Sequence, residues 1–398
     1  MAERSGPSRT LACILVGLGA FLLAAALLIP TYTVGQLKKT PLDLEVTTIA
    51  EGKGEVLDSK ALAAGKAVVD TGVPIVAQRY VTVVDPSNAD EITVQAGQTV
   101  RRTDKKGDTG LLTASVDTIS LDRVSSMPIP GGTSTIQIDA DKPAKEIPDR
   151  DGLQYKFPFD AEQKAYPYFD LNARATHDID FVEETEINGL KVYHYNQKVA
   201  PVDLSKVAPS ATNKLSLPAD TWGVPGGAAP VTMSRWYTNE RDLWVDPVTG
   251  VIVKGQEQLY QYYAREANNP EVTVLKVTLP FNEETIEYQV GQAKDGADKL
   301  STFGRTVPII AGILGAIALA AGIFLGIRGG RGPKDPAENA ETGPVPTEPG
   351  NAAEPTYGSY DSQDPATEMI PRQDWTADET EVFPAVDPRE QDPPTTRL

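Results

Sequence analysis

Two long apolar segments enclose most of this chain and constrain its fold more than any other feature. Residues 11–30 and 307–327 contain no charged side chain. Each holds about 20 residues, and a helix of that length, at about 1.5 Å per residue, matches the roughly 30 Å hydrocarbon core of a bilayer. The sequence therefore predicts a membrane hairpin: a short N-terminus at 1–10, two transmembrane helices, a large domain at 31–306 and a tail at 328–398.

The first segment has an alternative interpretation as a cleaved signal peptide. Arg4 and Arg9 form a positive N-terminal region, and residues 24–26 are the small residues that a cleavage site needs. The apolar run exceeds the roughly 7–15 residues of a typical signal peptide, which favours a retained span. Cys13, the only cysteine, is expected to be a buried thiol.

Basic residues near the spans indicate their orientation, because Lys and Arg are retained on the cytoplasmic side of a membrane. Arg4 and Arg9 precede the first span, and Arg328, Arg331 and Lys334 follow the second. Lys38, Lys39 and Arg305 lie on the flanks that face the central domain. Two spans also oblige both ends to share a compartment. We expect a multi-pass cell-membrane protein with both termini in the cytoplasm and residues 31–306 outside.

Small residues on both spans indicate a helix pair. They are Ala311, Gly315, Ala318, Gly322 and Gly326 on the second span, with Gly17, Ala20 and Ala24 on the first as the partner face. Small residues four apart allow two helices to approach closely. Because the intervening domain tethers the spans, pairing within one chain is favoured over dimerisation.

The charge of the chain limits its partners. The 398 residues carry a formal net charge of -18, which excludes a protein that coats nucleic acid, since phosphates require a basic surface. The tail is rich in Pro, Asp, Glu, Thr and Ala, and such a composition predicts disorder. A cytoplasmic partner of this acidic tail is one hypothesis.

The outer domain is predicted to be mainly β, in an α+β arrangement between the two transmembrane helices. Residues 79–84, 91–95 and 271–277 are rich in β-branched side chains and bounded by turn formers. Asn188-Gly189 predicts a tight hairpin turn between 180–187 and 190–199, and a second hairpin joins 243–245 to 251–253.

The end of this domain changes to a helical period. From Asn282, apolar residues recur every three or four positions, which predicts a helical stem at about 282–306 with Asn282 as its N-cap and a break near Gly304 and Pro308. Residues 200–229 are rich in Pro and Gly and are expected to form a long surface loop or a subdomain junction.

Catalytic and cofactor-binding patterns are scarce. His177 and His194 are the only histidines, and neither lies in a metal-ligand spacing. The outer domain has no cysteine nucleophile, phosphate-binding glycine loop or nucleophile elbow. We expect no enzyme, no metal and no cofactor.

Aromatic residues are the best candidates for a binding site. Exposed aromatic side chains stack on sugar rings or line lipid grooves, although buried ones fill the core of a large β domain equally well. The candidates for ligand binding are Trp222, Trp236, Trp244 and Tyr168.

Several short stretches resemble a known family. They are Gly-Leu-Gln-Tyr-Lys-Phe-Pro-Phe-Asp at 152–160, Tyr166 and Asp170, Ile-Asn-Gly-Leu at 187–190 and Val-Asp-Pro-Val-Thr-Gly-Val at 245–251. Together with the two terminal spans they resemble the actinobacterial envelope proteins of the PorA porin family. That resemblance implies a cell-wall channel, and also a role in lipomannan and lipoarabinomannan assembly. The architecture alone is similar to class B scavenger receptors, whose outer domain carries a lipid tunnel.

Three functions are open at this point. The leading hypothesis is a non-enzymatic envelope protein whose outer domain binds or transfers a membrane lipid or lipoglycan, working with other membrane proteins of envelope assembly. The alternatives are a channel-forming protein and a scaffold that recruits partners through its tail. Two apolar helices cannot line a pore without oligomerising, and charged strands do not suit a lipid-facing barrel, which favours the first hypothesis.

Overall fold

A computed structural model describes residues 9–208 and 210–329, so the predicted tail lies almost entirely outside the described residues. The helices are α1 Arg9–Leu28, α2 Val34–Leu37, α3 Ser59–Ala63, α4 Leu204–Val207, α5 Ala219–Trp222, α6 Glu283–Ser301 and α7 Val307–Gly329. The first seven strands are β1 Glu45–Leu57, β2 Val69–Val84, β3 Glu91–Arg102, β4 Leu111–Asp122, β5 Ser134–Gln137, β6 Lys145–Glu146 and β7 Tyr166–Asp170. The remaining strands are β8 Ala175–Ile187, β9 Leu190–Asp203, β10 Lys214–Pro218, β11 Pro230–Val245, β12 Ile252–Ala264 and β13 Val272–Pro280.

The thirteen strands form one sheet in the order β6-β5-β4-β3-β2-β1-β13-β12-β11-β9-β8-β7, and β10 also pairs with β11. Every pairing between these strands is antiparallel. The prediction of a mainly β domain between two apolar helices is confirmed, and the predicted strands at 79–84, 91–95 and 271–277 lie in β2, β3 and β13.

Alternation along the strands decides which face is buried. On β2, Val73, Ile75 and Val81 are buried and share one face, while Thr82 and Tyr80 lie on the other. Successive side chains on a strand point to opposite faces, so one face of β2 packs inward and the other is more exposed. The charged residues Glu45, Glu51 and Lys53 of β1 lie on this outer side or its rim.

Both predicted hairpin turns are present. Asn188 and Gly189 have φ values of 48° and 75° and connect β8 to β9, as a type I′ turn requires. In the turn between β11 and β12, Gly250 has φ 75°. A Cβ atom at Gly250 would lie only 2.1 Å from the backbone oxygen of Phe157, so glycine is needed here for close approach as well as for conformation.

The segment at 200–229 is more ordered than the predicted loop. It contains the end of β9, the short helices α4 and α5, and strand β10, which pairs with β11 between Lys214–Ser234 and Pro218–Pro230. Trp222 anchors it, since its indole Nε1 donates to the Val231 carbonyl at 2.9 Å. Pro and Gly mark turns between short elements here, which explains why their density alone suggested a loop.

One irregular stretch joins the two ends of the sheet. Residues 150–161, which we call the closing segment, leave the β4–β6 side and reach β7 and the β11–β12 turn. Leu153 donates to Pro167 at 2.8 Å, and Phe157 donates to Gly250 at 2.9 Å. The segment therefore bridges the sheet where its edge strands do not pair with each other.

The predicted helical stem is confirmed in α6. The Asn282 side chain accepts a hydrogen bond from the Thr285 N–H at 3.0 Å, which satisfies one free donor of the first turn. Ile286, Val290 and Ala293 pack against Val192 and Val253 of the sheet. The predicted break near Gly304 and Pro308 is wrong, because a π-helical turn at Thr302–Thr306 carries the helix into α7 without interruption.

The two apolar helices pack side by side, as the small-residue pattern predicts. Cβ atoms at Gly19 and Gly315 would each lie 3.0 Å or less from backbone atoms of the other helix. The predicted face of α7 is correct at Gly315 and Gly322, but that of α1 is wrong, because Gly17 has no atom of α7 nearby. Gly19, together with Ala12, is the buried small residue of α1.

Most side chains of these helices are not covered by protein. In the most apolar stretch of the first helix only 11% of the residues are buried, and in that of the continuous α6–α7 helix only 17%. The core helix of a water-soluble protein would be mostly buried. Cys13 is exposed on α1, which corrects the expectation of a buried thiol. The lengths, apolar surfaces and mutual packing of the helices together indicate a membrane protein.

Replacing Gly19 by Val should destabilise the helix pair. The added side chain would overlap the backbone of Leu319 and Gly315, and overpacking of this kind costs roughly 1–3 kcal/mol. Gly17→Val is the matched control, since nothing lies within 4 Å of its added Cβ atom. Thermal unfolding of the detergent-solubilised protein should show a lower midpoint for the first variant alone. Equal midpoints for both variants would contradict the observed packing.

Candidate functional site

The interior of the β domain contains a cavity of about 660 Å³. Side chains from β1 to β4 form one wall, and side chains from β11 to β13 form the other. The closing segment contributes Tyr155, Lys156 and Phe159, and α6 contributes Gln289, Gln292 and Leu300. The volume lies within the range of roughly 300–1,000 Å³ that is typical of small-molecule sites.

The cavity begins at the end of the domain where both apolar helices attach, which we call the proximal end. Leu37 of α2 and Leu300 of α6 border it there. The chain after α2 is docked by Thr40, whose N–H donates to the Arg123 carbonyl at 2.8 Å, while the Arg123 Nε donates to the Thr40 carbonyl at 2.8 Å. These reciprocal bonds fix the rim of the cavity next to the helix pair.

Apolar side chains line the passage inward from this rim. The wall of β1–β4 presents Val46, Val81, Ile92, Val94 and Leu121. Across the cavity lie Ile252, Leu279 and Phe281. Because inward-facing residues of neighbouring strands lie side by side, these side chains form one continuous apolar surface.

A row of polar side chains crosses the cavity deeper in the sheet. Arg79 pairs in register with Gln98 on β3, and Arg241 pairs with Glu257 on β12. Arg79 donates from Nε to Gln98 Oε1 at 3.1 Å, and its Nη2 lies 4.0 Å from Glu257 Oε1. Burial raises the pKa of Glu257, but the guanidinium groups of Arg241 and Arg79 outweigh burial and hold that pKa below its ordinary value.

Arg241 is the most fully paired member of this row. Its Nε donates to Glu257 Oε1 at 3.0 Å, and its Nη2 donates to Asp170 Oδ2 at 3.0 Å. The Gln197 side chain accepts a further bond at 2.5 Å. Tyr168 packs its ring 5.2 Å from this guanidinium. Buried charges with this many partners are stable in a low dielectric.

A second buried ion pair anchors the closing segment. Arg150 donates from both terminal nitrogens to the two carboxylate oxygens of Asp117, at 2.8 and 2.7 Å. Tyr155 donates from its hydroxyl to the same carboxylate at 2.5 Å. Both partners of the ion pair are almost inaccessible, with side-chain exposures of 1% and 0%. The pair therefore fixes the segment that carries Tyr155, Lys156 and Phe159 into the cavity.

Lys156 places an amine at the cavity wall without an ion-pair partner in the described part of the chain. Its Nζ donates to the Phe157 carbonyl at 3.0 Å and lies 3.7 Å from the centre of the Phe159 ring. Burial lowers the pKa of Lys156 to about 7, although the carboxylate of Asp246 acts in the opposite direction. The amine therefore changes charge near neutral pH.

Of the four predicted ligand-binding aromatics, only Tyr168 lines the cavity. Trp222 is 3% exposed and packs on Tyr263 far from the proximal end. Trp236 is half-buried and donates to the Ala264 carbonyl at 3.2 Å. Trp244 stacks on His194 with ring centres 4.6 Å apart. The structure thus gives the three tryptophans packing partners and does not bring them together.

His194 is paired with a carboxylate on the neighbouring strand β11. His194 hydrogen-bonds to Asp242 at 2.8 Å beside Trp244, and within residues 9–208 and 210–329 no group of three or more His, Cys, Asp or Glu side chains could hold a metal ion.

The charged residues of the cavity were missed in the sequence, although a signal for them exists. Arg79 occupies the same inward phase as Ile75, Ala77 and Val81 on β2. Glu257 lies in the same inward phase of β12 as Gly255 and Leu259, which also line the cavity. A charge at an apolar phase position predicts an ion pair or a ligand contact inside the domain.

The fold and cavity together define a class of protein, in which a membrane helix pair carries a β domain with an internal chamber at its proximal end. A family model described as Porin PorA matches residues 11–324. A Porin PorA of Corynebacterium resistens (strain DSM 45100 / JCM 12819 / GTC 2026 / SICGH 158) is 32% identical over 400 residues, covering 80% of this chain and 97% of that protein. A Porin PorA of Corynebacterium amycolatum is 30% identical over 377 residues, covering 79% of this chain and 97% of that protein. The chain belongs to the PorA porin family, as its short sequence stretches predicted.

Replacing Asp117 by Asn should strongly destabilise the β domain. The variant leaves the buried Arg150 without a carboxylate, and breaking a buried ion pair in this way costs about 3–5 kcal/mol. Asp139→Asn is the control, because Asp139 and Lys142 form an exposed pair that should contribute little. Urea unfolding followed by tryptophan fluorescence measures both. Similar midpoints for the two variants would show that the Arg150 pair does not hold the domain together.

Lys156 should make the stability of the protein depend on pH above neutrality. Between about pH 7 and the ordinary lysine value of 10.5, the unfolded chain holds a proton that the folded chain does not, so stability rises with pH. The penalty for the buried amine is complete below pH 7 and disappears above 10.5. Lys156→Met removes it, so the variant should exceed the wild type in unfolding temperature by more at pH 7 than at pH 9. A difference that is constant with pH would contradict the lowered pKa.

Proposed function

We propose that this protein binds a membrane lipid or lipoglycan in the cavity of its β domain and presents or transfers it during assembly of the cell envelope. The observation that carries the proposal is the apolar passage of the cavity, which starts at Leu37 and Leu300 beside the two membrane helices. An apolar chain gains free energy when it leaves water for such a passage. The position next to the helices supports uptake from the adjoining membrane surface.

The proposal includes a topology. Both termini lie in the cytoplasm, and the β domain lies outside the cell membrane, where envelope lipids and lipoglycans are assembled. The basic residues that flank the spans support this orientation. The cavity combines apolar side chains with charged ones, which suits an amphipathic ligand. Partners among membrane proteins of envelope assembly are part of the same proposal.

Lipid retention by purified protein tests this function. Val46→Trp would place a large ring in the apolar passage, whereas Thr47→Trp adds the same ring on the exposed face of the same strand. Full-length proteins purified in mild detergent would be extracted with solvent, and their lipids quantified by mass spectrometry. We expect the wild type and Thr47→Trp to retain one lipid class that Val46→Trp loses several-fold. Equal retention by all three proteins would overturn the proposal.

A channel is the second candidate, and the comparisons favour it over lipid binding. Both relatives are named Porin PorA. In a channel, the cavity would serve as the outer vestibule, and several copies of the helix pair would have to surround a pore, because α1 and α7 contact each other directly at Gly19 and Gly315. Exposed charges on the outer side of the sheet, such as Glu45, Glu51 and Lys53, do not suit a lipid-facing barrel.

Conductance separates the two candidates. Purified protein in planar bilayers would show stepwise currents if it forms a channel, and Val46→Trp would reduce their size while Thr47→Trp would not. We expect no steps above those of protein-free bilayers. Stepwise currents that respond to Val46→Trp would replace the lipid proposal with the channel.

A further inference from the structure

The cations that line the cavity differ in how far the protein neutralises them. Arg241 contacts two carboxylates and one amide. Arg79 has one protein hydrogen bond among the described residues, to Gln98, and one loose ion contact at 4.0 Å. That ion contact is to Glu257 Oε1, which already accepts from Arg241 at 3.0 Å. A guanidinium has five N–H donors, so Arg79 retains donors that no protein acceptor uses.

The unused donors of Arg79 face the cavity. Arg79 lines the cavity, and its side chain is 31% exposed. The ring of Tyr155 lies on one side, at 5.8 Å from the guanidinium carbon. Gln98 holds Nε and so orients the planar group. An oriented guanidinium with open terminal nitrogens binds carboxylates and phosphates in a bidentate manner.

Apolar walls separate Arg79 from the proximal rim. Toward the rim, Val81 follows on the same face of β2, paired with Val46 on β1 and Ala96 on β3. On β4, Ser115 lies level with Gln98, and Leu121 lies six positions nearer the rim. At about 3.3 Å per residue this passage is roughly 20 Å long. It therefore matches an extended acyl chain with a polar group at its inner end.

We propose that Arg79 binds the anionic head group of an amphipathic lipid whose acyl chain lies along the apolar passage toward the membrane. The inference rests on the proposed lipid-binding function and specifies its ligand class as a carboxylate or phosphate monoester on a long apolar chain. Arg79 supplies a bidentate contact, and Gln98 holds the guanidinium in position. Glu257 opposes binding, because its carboxylate competes for the same cation.

A purely structural role makes a different prediction. Arg79 and Arg241 together balance the charges of Glu257 and Asp170, so Arg79 could serve only to neutralise that cluster. Removal of either Arg79 or Glu257 would then weaken folding and binding alike. Under the head-group proposal, Arg79→Gln weakens binding of an anionic lipid and Glu257→Gln strengthens it.

The test uses the full chain in lipid nanodiscs and three probes: palmitate, lysophosphatidate and uncharged palmityl alcohol. A hydrogen bond to a charged group contributes about 1.5–3 kcal/mol, so the wild type should bind palmitate or lysophosphatidate about tenfold or more tighter than the alcohol. The tighter of the two anions identifies the head-group chemistry. Arg79→Gln should bring both anions to within about twofold of the alcohol, and Glu257→Gln should tighten both several-fold.

Two controls keep the outcomes separate. Arg101→Gln removes an exposed arginine from β3 and should leave all affinities unchanged. Arg79→Lys retains the charge and should keep part of the preference if Arg79→Gln does not fold. Binding of all probes without a preference for anions, or a preference that survives Arg79→Gln, would overturn the head-group assignment alone. No binding of any probe would overturn the lipid function and this inference together.

Discussion

The buried ion pair between Arg150 and Asp117 is the constraint on which the interior of this protein depends. The sheet does not close by pairing its edge strands, so the segment at 150–161 has to bridge its two sides. The bidentate contact joins the start of that segment to β4. Near its other end, Phe157 packs against the β11–β12 turn, where Gly250 leaves room for its backbone. Replacing either partner of such a pair strongly lowers stability, because the remaining partner is an uncompensated buried charge.

Buried charges also connect the closure of the sheet to the proposed function. The interior contains several ionised groups, and most are matched by carboxylates within hydrogen-bond distance, as Arg241 is by Glu257 and Asp170. Arg79 and Lys156 at the cavity wall have no carboxylate within hydrogen-bond distance among the described residues. An anionic ligand would complete their surroundings without rearrangement of the sheet. Under the proposed function, the position of the helix pair at the proximal end favours ligands that come from the membrane.

Local patterns in the sequence predicted the parts of this fold that local physics determines. Apolar length marked the two spans, Asn282 marked the start of α6, and Asn188-Gly189 marked a hairpin. The face of α1 was misplaced because small residues occur on several faces of that helix, and only contact with α7 selects Gly19. The cavity was not predictable in this way, since it arises from strands far apart in sequence and from a closing segment that has no periodic pattern. The predicted aromatic residues do not form one site, because Trp222 packs on Tyr263 and Trp244 packs on His194. Arg79 and Glu257, which are far apart in sequence, approach each other inside the domain.

Photolabelling by a membrane lipid measures most directly whether lipids enter the cavity of the β domain. The full-length protein would be reconstituted in vesicles that contain a phospholipid with a photoactivatable group near the end of its acyl chain, and labelled peptides would be mapped by mass spectrometry after irradiation. If membrane lipids enter the β domain, labels will appear on the cavity wall, at Val94, Leu121 and Phe281, in addition to labels on α1 and α7. Labels confined to α1 and α7 would show that membrane lipids do not enter the β domain.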